Sequence, residues 1–182
     1  MSKRLFPILI FFTVLIAAGV GYTAYQARPF SHRLAAFVTD LQARTPAQRH
    51  NIFQASARVD GVVLHPGKVF SFNESVGPYT EALGFLPERS VQGEQVVWSP
   101  GGGVCQVSST LYNAAKQAGL EIMERTAHTQ DVESVPPGWD ATLAFGVSDL
   151  KLRNPHLYPI RMSVRTLQNQ LLIEIWGQGD KI

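Results

Sequence analysis

Cysteine is the scarcest chemistry-bearing residue of this chain, present once in 182 residues. A single thiol excludes an internal disulfide framework and a multi-cysteine zinc site. In an oxidising compartment it is a liability unless it is buried or useful. Charge is also scarce: 16% of residues are charged, the formal net charge is +2, and no long Lys/Arg run occurs. That leaves no electrostatic footprint for nucleic acid. None of the five histidines stands at His-x-x-x-His spacing, so no metal site is expected and no cofactor is implied. Internal repeats and low-complexity tracts are lacking too. Hydrophobic residues make up 45%, enough for one domain with a sizeable core and appendages.

A long apolar run is present at the N-terminus. Leu5 to Tyr25 are almost wholly apolar and follow Lys3 and Arg4. Roughly 20 helical residues span a bilayer core, and positive charge ahead of the run favours a cytoplasmic N-terminus. Residues 1–27 therefore read as a cytoplasmic start and a single-pass anchor in the cell membrane, with the main domain extracytoplasmic. A cleaved signal peptide is the rival. Tyr22, Tyr25 and Gln26 crowd its small-x-small cleavage site.

The remainder reads as α+β, with helices early, an antiparallel sheet late, and a glycine-rich loop leading into a central helix. Residues 28–50 form a linker and a helical lead-in. Leu34, Phe37, Val38 and Leu41 fall at helical spacing, which predicts a helix over His32 to Ala43. Thr45-Pro46 caps a second helix running to about Val59, with Gly61 placed to end it. Val62 to Leu64 and Val69 to Phe72 are strand-like around the turn His65-Pro66-Gly67. Asn73 to Gln95, punctuated by glycine and proline, reads as a long ordered loop. Leu120 to Arg125 is strand-like. Alternation at Leu143, Phe145 and Val147, at Leu150 and Leu152, and across Ile160 to Trp176 predicts an antiparallel meander.

The sharpest feature is Gly101-Gly102-Gly103-Val104-Cys105-Gln106-Val107-Ser108-Ser109-Thr110. A glycine loop ends, a helix begins, and a thiol sits at the junction. Free backbone N–H groups and the helix dipole favour a thiolate there. Gly101, Gly102, Gly103 and Gln106 are the candidates for approaching substrate or holding an oxyanion. A buried cysteine behind a glycine turn is the bland alternative. A phosphate-binding loop would need a lysine beside a Ser/Thr, and the loop has none in place. A thiol nucleophile needs a base. His128, at the end of the strand-like segment after the helix, is the candidate; His65 and His156 are rivals in turns. Asp131 and Asp140 could orient it. Ser108, Ser109 and Arg153 are candidate orienting or substrate contacts, with Arg89 an alternative to Arg153. Glycosidase chemistry would need two placed carboxylates, and Glu74, Glu81, Glu88 and Glu94 qualify only by lying in the long loop.

Asn51 through about Ile173 resembles the VanW domain, named for an accessory gene of some vancomycin-resistance clusters. The matching stretches are Leu64-His65-Pro66-Gly67 with Phe70-Ser71-Phe72-Asn73, Val76-Gly77-Pro78-Tyr79-Thr80, Gly101 to Gly119, Glu124-Arg125 with His128, Val135-Pro136-Pro137-Gly138 with Asp140-Ala141-Thr142, and Asp149 to Asn154. Residues 51–182 are read as this domain. Thr129 departs from the family's usual serine and Trp139 from its common arginine, which puts a substrate contact at position 139 in doubt. The resemblance implies a peptidoglycan peptide as partner, since some members act as L,D-transpeptidases through a cysteine. The implied nucleophile is Cys105 and the implied reaction acyl transfer to a stem amine, or to water in a carboxypeptidase. The alternatives are a module that binds wall peptides or glycopeptides with a structural Cys105, and a scaffold that docks on an envelope complex.

Overall fold

The computed structural model describes residues 30–92 and 95–178. The predicted membrane segment at 5–25 lies outside them. Among the described residues no helix is long and apolar enough to cross a membrane.

The architecture is α+β, and every strand pairing is antiparallel. Strand β1 (His32–Asp40) leads into helix α1 (Pro46–Val59). Short strands β2 (Val63–Leu64) and β3 (Val69–Ser71) follow, then the one-turn helix α2 (Phe72–Val76). A 3₁₀ turn (Glu81–Leu83) precedes the hairpin β4 (Pro87–Gln92) and β5 (Gln95–Pro100). Helix α3 (Val104–Gln117) leads to β6 (Glu121–Glu124), β7 (Lys151–Arg153), β8 (Ile160–Leu167) and β9 (Gln170–Gly177). The strands form sheets of order β1-β9-β8-β2, β3-β7-β6 and β4-β5.

Local chemistry explains most boundaries. The Thr45 hydroxyl accepts the Gln48 N–H, the Gln48 side chain accepts the Thr45 N–H, and Pro46 opens α1, a full capping box. Alternating Ile160, Met162 and Val164 on β8 meet Ile173 and Ile175 on β9, and all five are buried. Helix α3 packs against β1, β9 and α1, turning Val107, Leu111, Ala114 and Ala115 into the core. Its alanines permit close approach to the sheet. Across the sheet, buried Glu174 receives Arg33 from β1 and Arg165 from β8. Burial alone would raise this carboxyl, but the two guanidiniums hold it below its ordinary range.

Three expectations are corrected. His32 to Ala43 does not form a helix: β1 pairs along β9, with a register shift between Arg33 and Ala35. That irregularity breaks the strict alternation a strand would show in sequence. The apparent loop from Asn73 to Gln95 contains α2, the 3₁₀ turn, β4 and the start of β5. Residues 143–147 form no strand; a single bridge joins Ala144 to Ser148 around Gly146. The late meander is therefore the β8–β9 hairpin, while β7 belongs to the separate sheet with β3 and β6.

Candidate active site

The glycine loop and the start of α3 are fixed from several sides. Gly103 is the N-terminal cap of α3 at φ +98°, a conformation that favours glycine. At Gly102 a Cβ would lie 2.8 Å from Glu88 Cβ and 3.0 Å from the Arg89 carbonyl oxygen. Behind it, buried Glu88 accepts the Thr45 hydroxyl at 2.5 Å, which ties the β4–β5 hairpin to the cap of α1. Gln106 is engaged elsewhere than its sequence candidacy suggests. Its Oε1 accepts Arg44 Nε at 2.7 Å, and its Nε2 donates to Thr39 Oγ1 and the Asp40 carbonyl. It anchors α3 to β1, and its amide has no donor left for an oxyanion.

Cys105 is the second residue of α3 and half-buried. Its Sγ lies 4.0 Å from the Leu143 carbonyl oxygen. The N–H groups of Gly101, Val104 and Gln106 donate to the carbonyls of Leu86, Gly101 and Gly103. That of Cys105 is not among them.

Positions 105, 108, 109 and 113 share one face of the helix, and this face holds the segment that carries Asp140. Ser108 Oγ donates to the Ala141 carbonyl at 2.6 Å. Ser109 Oγ accepts the Ala141 N–H at 2.9 Å and donates to the Cys105 carbonyl at 2.7 Å. Asn113 Nδ2 donates to the Trp139 carbonyl at 2.7 Å. Both serine hydroxyls are thus engaged with the backbone of Cys105 and Ala141.

Asp140 is held beside His128. One oxygen, Oδ2, accepts the His128 backbone N–H at 2.5 Å and faces Nδ1 at 2.6 Å. The other, Oδ1, accepts Arg125 Nη2 at 3.0 Å, while Arg125 Nε donates to the Asp140 carbonyl at 2.6 Å. Arg125 lies 5.2 Å above the Tyr112 ring on α3. Burial would push the Asp140 carboxyl up, but the hydrogen bonds and charge of His128 bring it below its usual range. The His128 imidazole is raised from its ordinary value. Its interaction with the Cys105 side chain is the largest cause; burial opposes it, and Asp140 adds to it. His128 is thus bonded to Asp140 on one side and is close enough to Cys105 for the thiol to raise its imidazole. With Nδ1 at Asp140, Nε2 is the ring nitrogen left for the sulfur.

Other candidates lie elsewhere. His156 Nε2 is bonded to the Ala118 carbonyl, and its ring stacks on Tyr158. It sits at the far end of α3, ~20 Å along the helix from Cys105 at 1.5 Å per residue. His65 is exposed in its turn. Arg153 lies on the middle strand of the β3-β7-β6 sheet and pairs with Glu121. Arg89 is exposed on β4. Sequence reasoning singles out neither Arg125 nor Asn113. Nor does it single out Tyr79, which packs on Gly101 and donates to Asn73 Oδ1 at 2.6 Å. Burial, then the charges of Cys105 and Asp149, push the Tyr79 phenol well above its usual range, so it remains protonated. No group of three or more His, Cys, Asp or Glu residues could hold a metal ion among the described residues.

Comparison with known proteins gives concordant findings. The family model described as VanW like protein matches residues 47–176. The uncharacterized protein YoaR of Bacillus subtilis (strain 168) is 34% identical over 147 residues, 81% of this chain and 48% of YoaR. The vancomycin B-type resistance protein VanW of Enterococcus faecalis (strain ATCC 700802 / V583) is 30% identical over 111 residues, 57% of this chain and 40% of that protein. The chain thus matches less than half the length of either relative. No solved structure matches.

The His128 geometry predicts a pH dependence of stability. A raised imidazole contributes stability that is fully present below its ordinary value of 6.5. The contribution is lost as pH rises through the higher folded value. Melting temperature should fall over that window, and His128→Ala should remove this part of the fall. Equal pH dependence in both proteins would show that His128 is not held as described.

Proposed function

The chain belongs to the VanW family, and on that premise we propose that it is a cell-envelope enzyme acting on peptidoglycan stem peptides by cysteine acyl transfer. The observation that carries the reading is the imidazole of His128, held by Asp140 at 2.6 Å and raised by its interaction with a half-buried thiol at a helix start. A merely structural cysteine has no need of an imidazole partner that is itself oriented by a clamped carboxylate. One relative has vancomycin resistance in its name, which agrees with a role at the cell wall.

His128 takes the thiol proton, and the imidazolium that forms is stabilised by Asp140. The sulfur attacks the carbonyl of an L-centre that precedes a D-residue. A C–S bond forms, and the Cys105 N–H is the local donor for the developing oxyanion. When the intermediate collapses, the C–N bond to the D-residue breaks, and the leaving amine takes its proton from His128. The resulting thioester is attacked by a stem amine, which gives a new peptide bond, or by water, which gives a carboxylate. In either case His128 accepts the attacking group's proton, and the sulfur departs as thiolate.

The reading places the domain outside the cytoplasm, on a membrane helix at 5–25. The support is an apolar run of spanning length after Lys3 and Arg4. A reporter fused after Ile182 should be active only if it functions outside the cytoplasm; activity restricted to a cytoplasmic reporter would reverse the topology.

The chemical step is tested by mass spectrometry. Incubation with a stem tetrapeptide ending in D-alanine should leave an adduct on Cys105 equal to the peptide less its terminal residue. Cys105→Ser should form no thioester. Saturable binding that is indifferent to Cys105→Ser, with no adduct, would instead make the domain a wall-peptide binding module.

A further inference from the structure

A cavity of ≈ 430 Å³ lies at the turn that follows Leu143, and the chemistry above does not use it. That volume falls in the range of small-molecule sites. One part of its lining is the turn from Phe145 to Asp149, and another is Asn73 and Glu74 of α2 with Gly77 just after it. Glu124 and Lys151, an ion pair at 2.8 Å, also line it. The first two parts connect through the chain and through contacts to the neighbourhood of Cys105. The first is continuous with Leu143, whose carbonyl faces the Cys105 sulfur. The second reaches it through Asn73, which accepts the Tyr79 hydroxyl, while Tyr79 packs on Gly101. Leu143 and Gly146 are three residues apart, so this part of the lining is within ~10 Å of the carbonyl that faces the sulfur.

The lining has two characters. Phe145 and Val147 are apolar yet 53% and 83% exposed, an arrangement suited to a methylene chain. The polar part carries a surplus of carboxylates. Lys151 is matched by Glu124. Asp149 is committed to Ser71 and to the N–H groups of Asn73 and Leu150. Glu74 makes no ion pair among the described residues, and its charge contributes to the field at Lys151. These carboxylates do not form a metal-binding group, so the surplus fits an organic cation better than a metal ion.

We propose that this cavity is the subsite for a side chain ending in a primary ammonium, such as the lysine-type side chain of a wall peptide, with Glu74 as its counter-ion and Phe145 and Val147 along its methylenes. The assignment rests on the acyl-transfer reading for its substrate class. The occupancy of the cavity itself does not depend on the sulfur reacting.

The test uses the full chain as Cys105→Ala, so that binding is read without chemistry. The probes are N-acetylated L-Ala-γ-D-Glu-L-Lys-D-Ala, its ε-acetyl-lysine counterpart, and Nα-acetyl-lysine amide with and without ε-acetylation. Acetylation should weaken binding by roughly three- to fivefold, the scale of one partly exposed ion pair. Adding Glu74→Gln should abolish that difference and leave the acetylated probes unchanged. Equal binding of charged and acetylated probes, an effect of acetylation that persists in Glu74→Gln, or no binding by any probe would each overturn the subsite. Discrimination by Glu74 in a chain whose native Cys105 forms no adduct would keep the subsite and reject the acyl-transfer chemistry.

Discussion

The site depends on one polar stripe of α3. Ser108, Ser109 and Asn113 fasten the segment from Trp139 to Ala141 against the helix one and two turns beyond Cys105. Without that attachment Asp140 would have no fixed relation to the thiol. Each such bond contributes about 1 kcal/mol net, and leaving a buried partner such as the Ala141 N–H unpaired costs roughly 1–3 kcal/mol. The stripe shares its helix with the apolar face of Val107, Leu111, Ala114 and Ala115, which packs into the core. The same helix therefore anchors the fold and sets the site, and the position of Cys105 is inherited from the core.

Electrostatics completes what the stripe begins. The two oxygens of Asp140 are divided between His128 and Arg125, so the carboxylate cannot rotate without losing one partner. Arg125 in turn rests over Tyr112 on α3, which returns the constraint to the same helix. Charge-assisted bonds of this kind are stronger than neutral ones, and here they fix the orientation of the imidazole. The low charge content of the chain as a whole contrasts with this local concentration. The triad of Arg33, Glu174 and Arg165 shows a similar device used to join strands.

Much of this was legible in the sequence, for identifiable reasons. The glycine loop before a helix that starts at Val104, the capped helix from Pro46 and the hairpin of Ile160 to Trp176 are set by local chemistry and periodicity. The sequence offers both Asp131 and Asp140 as partners of His128, and only the fold distinguishes them, by the bond from Asp140 Oδ2 to Nδ1. The spacing of Leu34, Phe37, Val38 and Leu41 pointed to a helix because a strand irregularity mimics helical period, and the pairing of β1 with β9 decided the outcome. The β4–β5 hairpin was hidden because Pro87, Glu88, Arg89 and Ser90 carry no apolar alternation; its inner anchor is the contact of Glu88 with Thr45. Arg125 and Asn113 stand in the matching stretches without a site role, because their partners are backbone carbonyls and a carboxylate distant in sequence. Gln106 looked like a site residue from its position, yet its amide is claimed by Arg44, Thr39 and Asp40.

The coupling of Cys105 to His128 is most directly tested by the rate of iodoacetamide alkylation at Cys105 as a function of pH. The measurement compares the unaltered chain with His128→Ala, each checked for an intact fold by circular dichroism. If the imidazole stabilises the thiolate, the unaltered protein will react at lower pH than the variant, and the variant profile will move toward higher pH. Superimposable profiles in two folded proteins would contradict the coupling and leave Cys105 an ordinary, half-buried thiol.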